Sequence, residues 1–372
     1  MPIASTIDLL APLLADPPNL AALADESAWA TIKEEAGRFG VGPLVAYVAR
    51  RHVSAAERAW CDRVLSESWL RHDRMLRHLE YLSGLLAREN IRTIALKGPL
   101  LAERCYSPAF LRKPSLDIDL AVAANDLERA VAILDGIGYT LDFPLDYMRA
   151  HYHHVELSHP SKPHLELHFR LTHRALGIPV EEFFERAVPR KLPNGESTLV
   201  LAPADQLLHL VLHLAQSRFG TLFHLYEIRK VWNAEPPAMR AEAIQRAAAH
   251  HYSGAFRMME VAFRCRWGEP FLPPRTQLPK TWLEGRLTPA LYKKFEEWSV
   301  PGRGLSVSER VRARWLDFQL TDTPADALRL ALFFLRTARF NFTSKRAWGT
   351  VKHLRFAPAH STARDRFRSG KA

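Results

Sequence analysis

The sequence has few cysteines and no long apolar run, and each absence excludes a class of protein. Its three cysteines lie far apart and form no C-x-x-C pair. A disulfide framework and a cysteine zinc site are therefore not expected, and the composition suits a reducing compartment. No stretch of about 18 apolar residues occurs, because the strongest run, residues 327–335, is interrupted by Arg329. We therefore expect no membrane span.

Other signals are missing as well. No basic segment precedes the first apolar residues, and Asp8 and Asp16 lie among them, so no secretory signal is expected. The motifs G-x-x-x-x-G-K-[ST], G-x-S-x-G and H-E-x-x-H are absent. P-loop NTPases, α/β-hydrolases and zincins therefore lack support. The expected compartment is the cytoplasm.

The chain does contain enough apolar material for a large core. Of its 372 residues, 47% are hydrophobic and 24% are charged, as in ordinary globular proteins. The hydrophobic pattern changes from helical to mixed strand and helix, and then back to helical. This order predicts an α/β or α+β unit with helices on both sides. The predicted segments are an N-terminal helical region (1–87), a core (88–200), a C-terminal helical region (201–340) and a basic tail (341–372).

The positive charge is concentrated at one end of the chain. The formal net charge is +11, and the segment from Arg336 to Ala372 contains ten Lys and Arg residues but only one acid, Asp365. The rest of the protein is therefore nearly neutral. The tail is either a solvated terminus or a segment that contacts phosphates, nucleic acid or a membrane surface.

Residues 116–122 alternate between apolar and acidic side chains, which indicates a strand. Residues i and i+2 of a strand share a face, so Asp117 and Asp119 are expected to project together. Two adjacent carboxylates repel each other, and a divalent cation that prefers oxygen ligands removes that cost. The alternative is a solvated edge strand. We therefore treat both aspartates as candidate Mg²⁺ ligands.

A second alternating stretch, residues 164–169, offers a third acid. If this strand pairs beside the first, Glu166 joins the two aspartates, as a two-metal phosphoryl-transfer site requires. Glu156 is the alternative third acid, and Glu166 is preferred. His168 shares the face of Glu166 and is a candidate hydrogen-bond donor in the site.

Histidines are crowded between residues 151 and 173, where seven of the 17 occur. A zinc site that includes His164 and His168 is one interpretation, although the spacing matches no zinc signature. His209 and His213 lie on one face of a later helical stretch. For these two, packing within a core helix is the preferred interpretation.

The segment Leu96-Lys97-Gly98 follows a short apolar strand and precedes a helix. Glycine lets a phosphate approach the backbone closely, and Lys97 adds a positive charge, although such a junction is also an ordinary turn. Arg112 lies in a loop five residues before Asp117. Its guanidinium suits bidentate phosphate binding, and the alternative is a surface arginine.

Together these motifs resemble one known family. The run I-x-L-K-G-x-x-L-x-x-x-x-Y, an arginine before D-I-D-L-x-V, and a later L-x-L-H are similar to the uncharacterised nucleotidyltransferase family of the DNA polymerase β-type superfamily. The resemblance covers about residues 60–230. It rests on Leu96, Lys97, Gly98, Tyr106, Arg112, Asp117, Ile118, Asp119, Leu120, Glu166, Leu167 and His168.

The resemblance implies an α+β fold, in which a nucleotidyltransferase-like small mixed sheet carries helices and is flanked by the two helical regions. It implies that three acids catalyse the reaction and hold Mg²⁺, or Mn²⁺ in its place: Asp117, Asp119 and Glu166. It also implies that a nucleoside triphosphate, with ATP favoured by its abundance, is bound by Lys97, Gly98, Arg112 and His168.

The expected function is therefore the transfer of a nucleoside monophosphate from an NTP to an acceptor hydroxyl. The sequence leaves the acceptor open, since a small molecule, a peptide, a protein and an RNA all remain. The alternative is a non-catalytic protein of the same fold that binds a nucleotide or nucleic acid, or that acts as a scaffold. In either case the basic tail is a candidate contact for nucleic acid.

Overall fold

A computed structural model describes most of the chain, namely residues 10–15, 18–20, 23, 26–172, 176–217, 219, 222–274, 276–298, 315 and 317–347. The helices between residue 26 and the first strand are α1 (Glu26–Arg38), α2 (Gly42–Ala49) and α3 (Ala55–Arg88). The Ser54 side chain accepts a hydrogen bond from the Glu57 N–H and so caps α3. The bounds of α3 agree with the helical apolar periodicity of its sequence.

A seven-stranded sheet forms the centre of the protein. Its strands are β1 (Thr93–Ala95), β2 (Asp117–Val122), β3 (Thr140–Leu141), β4 (His154–Ser158), β5 (His164–His168), β6 (Val188–Lys191) and β7 (Ser197–Val200). Their order is β3-β4-β5-β2-β1-β7-β6. The β2–β5 and β1–β7 pairs are parallel and the other pairs are antiparallel. The predicted α+β fold with a mixed sheet is therefore confirmed.

Helices connect the strands and continue the chain after them. The connecting helices are α4 (Pro99–Cys105), α5 (Leu127–Asp135), α6 (Leu145–His151) and α7 (Glu181–Phe184). The helices after the sheet are α8 (Pro203–Gln216), α9 (Leu222–Ala234), α10 (Pro237–Ala249), α11 (Ser253–Trp267), α12 (Pro289–Trp298) and α13 (Pro324–Ala347). Residues 348–372, which form most of the predicted basic tail, lie outside the described residues. None of the helices in the described ranges has the length and hydropathy that a membrane crossing requires.

The two faces of the sheet pack into different cores. Ile118 and Leu120 of β2 lie in a core with residues of α3 and α5. Ala121, on the opposite face of the same strand, lies in a core with residues of α8 to α11. Because side chains alternate along a strand, Asp117 and Asp119 are on the Ala121 face, toward the C-terminal helices. The acids therefore lie where the sheet meets the helices that follow it.

Candidate active site

The register of β2 and β5 brings the predicted acids together. Asp119 lies directly opposite Glu166, and Asp117 lies opposite His164. One carboxylate oxygen of Asp119, one of Glu166 and a ring nitrogen of His168 all lie within 4.8 Å of one another. We call the carboxylates of Asp117, Asp119 and Glu166 the acidic cluster. The prediction of Glu166 as the third acid required the strand of Glu166 to pair beside that of the aspartates, and β5 does pair with β2.

Two side chains, Lys97 and His168, contact the acidic cluster. The Lys97 Nζ lies 3.0 Å from Asp119 Oδ1. His168 Nε2 lies 3.3 Å from the same oxygen and 3.2 Å from Glu166 Oε2. Both partners of Asp119 are largely buried, with 11% of the Lys97 side chain and 4% of the His168 side chain exposed. The cluster is therefore held by an ion pair with Lys97 and by hydrogen bonds from His168 in a poorly solvated position.

Lys97 and the neighbouring histidines lower the pKa values of two of the acids. Burial raises the pKa of Asp119, but the Lys97 charge and the His168 hydrogen bond outweigh burial and bring this pKa well below its usual range. Burial also raises the pKa of Glu166, and the charge of His154 and the His168 hydrogen bond bring it down to about 2. Burial lowers the pKa of His168, and its hydrogen bonds to Asp119 and Glu166 reverse that effect and raise it.

Asp117 has the opposite environment. Burial, followed by repulsion from Asp119 and Glu166, raises its pKa to about 6. The repulsion expected from the D-x-D pair is therefore felt by Asp117, whereas Lys97 and His168 offset it at Asp119. Asp117 is the member of the cluster that gains most from an additional positive charge nearby.

Gly98 forms the turn between β1 and α4. Its φ of 76° and ψ of −139° lie in a region that L side chains rarely adopt, so a glycine is required there. The Gln206 side chain from α8 donates a hydrogen bond of 3.1 Å to the Leu96 carbonyl and fixes the end of the strand. Gly98, Arg112 and Ser115 line one small crevice beside the turn.

Arg112 is not the surface arginine that was the alternative interpretation. It is 7% exposed, and it forms a bidentate ion pair with Glu227 of α9, in which its Nη2 lies 3.2 Å from Glu227 Oε2. Its Nη1 also donates to Ser115 Oγ at 3.1 Å. Arg112 thus joins the loop before β2 to a C-terminal helix. Its expected role as a triphosphate contact stays a prediction.

Glu156, the alternative third acid, lies one strand further from the aspartates. It is opposite Glu166 across β4 and β5. The Glu156 carboxylate lies close to the Asp142 carboxylate and the His164 ring, and these three side chains form a more exposed cluster. Since Glu166 and not Glu156 adjoins Asp119, the geometry favours the preferred choice.

Two histidines near the site were not singled out as functional by the sequence. His154, on β4, is close enough for its charge to lower the pKa of Glu166. His209, on α8, is 2% exposed, and within the described part of the chain neither of its ring nitrogens has a hydrogen-bond partner. Burial and the charges of Lys97 and His168 lower its pKa to about 3. The H-x-x-x-H spacing with His213 was the only available signal, and it did not distinguish the two histidines.

The comparison with known families agrees with this geometry. Residues 25–265 match the profile of a family described as uncharacterised nucleotidyltransferase. The chain belongs to this family. No curated protein matches it. The matched region includes the whole sheet, the acidic cluster and helices α8 to α10, so the cluster lies within the part of the chain that defines the nucleotidyltransferase family.

A divalent cation of the Mg²⁺ type fits the acidic cluster of this nucleotidyltransferase-family chain. Asp117, Asp119 and Glu166 offer carboxylate oxygens, which are the ligands that Mg²⁺ prefers. The pKa of Asp117 is raised by burial first and then by repulsion from Asp119 and Glu166, and a cation nearby would offset both effects. The donor chemistry and the charge of the cluster therefore both suit such an ion.

Proposed function

We propose that this chain is a Mg²⁺-dependent nucleotidyltransferase that moves a nucleoside monophosphate from an NTP to an acceptor hydroxyl and releases pyrophosphate. The observation that carries the proposal is the position of Asp119 opposite Glu166 on two parallel strands, with Asp117 two residues earlier on the same face. Membership of the nucleotidyltransferase family supports it.

In this proposal Asp117, Asp119 and Glu166 hold the metal ion, with Mn²⁺ able to replace Mg²⁺. The bound ion supplies positive charge to the phosphates as charge develops in the transition state. The Lys97 Nζ lies 3.0 Å from Asp119 Oδ1 and keeps that carboxylate ionised. In this proposal the same ammonium group also binds the triphosphate. Gly98 leaves the turn open to a phosphate because it has no side chain.

The remaining residues position the acids and the acceptor. His168 donates to Asp119, contacts Glu166 and so fixes the two carboxylates relative to each other. Glu166, which the low pKa keeps ionised, accepts the hydrogen bond of the acceptor hydroxyl. Arg112 contributes to nucleotide binding from the crevice that it shares with Gly98.

The substrates are proposed from chemistry alone. ATP is the favoured triphosphate because of its abundance, and the acceptor is a small molecule, a peptide, a protein or an RNA. The cytoplasm is the proposed compartment, because NTPs are available there. Cys61, Cys105 and Cys265, all of which lie in the described part of the chain, are free thiols and suit a reducing compartment.

The test is transfer of a labelled nucleotide. Each of the four NTPs, labelled at the α-phosphate, is incubated with the protein, Mg²⁺ or Mn²⁺ and a cell extract as the source of acceptor. We expect label from at least one NTP to enter a product with release of pyrophosphate. Asp119→Asn should reduce transfer at least about 100-fold, because it removes a charge needed at the transition state.

The matched control is Asp142→Asn. Asp142 is an acid near the same sheet but outside the acidic cluster, where it contacts His164 at 3.1 Å. This variant should keep the parent activity. Transfer that survives Asp119→Asn, or that is lost equally in both variants, would contradict the assignment of the acidic cluster as the catalytic site.

A second candidate function is nucleotide binding without transfer. The observation that favours it is that Asp119 already has two partners, Lys97 and His168, in a buried position. Calorimetry with a non-hydrolysable NTP analogue separates the two candidates. Binding that needs Mg²⁺, with no transfer to any acceptor, would support this second function.

A further inference from the structure

Three histidines meet beside the acidic cluster at the ends of two neighbouring strands. His153 directly precedes β4, His154 begins it, and His168 ends β5 opposite His154. A ring nitrogen of each lies within 4.8 Å of those of the other two. The His154 and His168 rings are buried, with 5% and 3% of these residues exposed. We call these residues the histidine cluster.

The hydrogen bonds of these rings show which nitrogens are available for a ligand. His168 Nε2 donates to Asp119, whereas His168 Nδ1 is buried and has no hydrogen-bond partner within the described ranges. His154 Nε2 lies 3.3 Å from Glu156 Oε1. Its other nitrogen, Nδ1, lies 3.2 Å from His153 Nε2. Each carboxylate contact thus occupies the Nε2 atom, which leaves His154 Nδ1 beside His153 and His168 Nδ1 buried without a partner among the described residues.

The spacing of His153 Nε2 and His154 Nδ1 suits two ligands of one shared ion. In a tetrahedral zinc site with Zn–N bonds of about 2.0–2.1 Å, neighbouring nitrogens lie about 3.3 Å apart. His154 Nδ1 and His153 Nε2 are 3.2 Å apart, and their rings are nearly perpendicular, at 89°. Without an ion, these two nitrogens must share a proton in a hydrogen bond. His168 Nδ1 has no hydrogen-bond partner of any kind among the described residues.

The carboxylates behind the rings complete a familiar arrangement. Metal-bound histidines usually donate their other N–H to a carboxylate or a carbonyl, which fixes the tautomer and makes the ring a better ligand. Glu156 holds this position behind His154, and Asp119 and Glu166 hold it behind His168. Imidazole nitrogens favour Zn²⁺, Cu²⁺, Ni²⁺ or Fe²⁺, whereas Mg²⁺ prefers oxygen.

We propose that His153, His154 and His168 bind a divalent transition-metal ion of the zinc type, at a site next to the acidic cluster and joined to it through His168. The spacing of the sequence pointed to no such site, and its zinc interpretation included His164 in place of His153 and His154. The ion fixes His168 as an Nε2–H donor, and so holds Asp119 and Glu166 in position. The proposal does not rest on nucleotidyl transfer, since it concerns metal binding without nucleotide.

The experiment is a calorimetric titration of the full-length, tag-free protein with ZnCl₂ at neutral pH after treatment with a chelator. Excess MgCl₂ is present so that the acidic cluster does not take up the added ion. We expect one equivalent of Zn²⁺ to bind. Substitution by Co²⁺ should give the visible absorption of a tetrahedral ion with nitrogen ligands, which is a second readout on the unaltered protein.

Two variants and a control locate the ion. His153→Gln removes one ligand and should weaken Zn²⁺ binding at least about tenfold. Glu156→Gln removes the carboxylate behind His154 and should also weaken it about tenfold or more. The control is His164→Gln, which alters the neighbouring cluster of Asp142, Glu156 and His164 and should leave Zn²⁺ affinity unchanged.

Three results would overturn the proposal. One is the absence of stoichiometric Zn²⁺ binding and of the tetrahedral Co²⁺ spectrum in the parent. Another is a His153→Gln protein that is folded, as shown by its melting curve without metal, and binds Zn²⁺ as the parent does. The third is a His164→Gln protein that loses as much affinity as His153→Gln, which would place the ion in the more exposed cluster.

Discussion

Asp117 and Asp119 lie two residues apart on one strand, yet their charges have opposite effects on folding. Asp119 is ionised against Lys97 and His168, whereas Asp117 is repelled by its neighbours and has its pKa raised to about 6. A raised carboxyl pKa means that ionisation costs stability, and this cost grows as the pH rises from about 4 to 6. The two asparagine variants should therefore behave differently.

We predict that Asp117→Asn stabilises the metal-free protein at pH 8 by about 1–3 kcal/mol, because a shift of about two pKa units corresponds to at most about 3 kcal/mol. Asp119→Asn should destabilise it by about 3–5 kcal/mol, because the buried Lys97 loses its ion-pair partner. Urea unfolding in the presence of a chelator measures both. Changes of the same sign in the two variants would contradict the charge network described above.

Arg112 gives a second prediction at the residue scale, because its ion pair with Glu227 is buried on both sides. Breaking a buried pair leaves an uncompensated charge, whereas replacing both partners by apolar residues is often nearly neutral. Arg112→Met should cost about 3–5 kcal/mol, and Arg112→Met with Glu227→Leu should recover most of this loss. Urea midpoints decide the matter, and a double variant no more stable than the single one would show that Glu227 is not the main partner.

At the scale of single elements, helices and strands were predicted most accurately where their hydrophobic pattern was long or where it depended on neighbouring residues alone. Helix α3 extends over 34 residues, and its bounds were recognisable from the apolar spacing. Strands β2, β4 and β5 were recognisable by alternation. Strands β6 and β7 are four residues each, β6 is exposed and contains Pro189, and β7 pairs with the distant β1. Their existence depends on non-local pairing, which a short pattern does not reveal.

The same limit applies to the site. The three acids were predicted because each lies in a strand with clear alternation, and Lys97 was predicted from the glycine turn that follows a short apolar strand. The partner of Arg112 was not, since Glu227 is 115 residues away in sequence. The histidine cluster was missed because His154 and His168 meet only through strand register, which a zinc signature based on spacing does not contain.

His209 of helix α8 leads to a prediction about how stability depends on pH. His209 has a pKa of about 3 in the folded protein, below the ordinary value of 6.5, so the unfolded chain binds more protons between these values. Stability should therefore fall as the pH decreases below about 6.5. His209→Leu removes this contribution and a buried polar group that lacks a hydrogen-bond partner among the described residues.

We expect His209→Leu to melt at a higher temperature than the parent, with a difference that grows from pH 8 to pH 5. Thermal unfolding at a series of pH values checks this. A constant difference across the series would mean that His209 does not take up a proton on unfolding. A lower melting temperature at every pH would indicate that His209 makes a stabilising contact in the folded state.

At the scale of the whole molecule, the packing crosses the segment boundary predicted at residue 200. Ile94, Leu96 and Ala121 of the sheet share one core with residues of α8 to α11. A fragment of residues 88–200 would expose this apolar face to water, at a cost of roughly 25 cal/mol per Å². We predict that this fragment shows no cooperative unfolding by circular dichroism, whereas residues 26–298 do. Cooperative melting of the short fragment would show that the sheet is an independent domain.

The uneven charge of the molecule gives the last prediction. Residues 348–372 contain six Lys and Arg residues and one acid, so their deletion lowers the formal net charge from +11 to +6. If these side chains contact RNA phosphates, each contact releases counterions and adds about 0.7 to the salt dependence of binding to a single strand. We expect the full chain to bind single-stranded RNA with an affinity that falls steeply with salt, and the truncated chain to have a log–log slope smaller by up to about 4.

Fluorescence anisotropy over a range of salt concentrations measures the slopes, and an unchanged melting temperature shows that the deletion leaves the fold intact. Equal slopes for the two chains would make the tail a solvated terminus and would place any phosphate contacts on the sheet and helices.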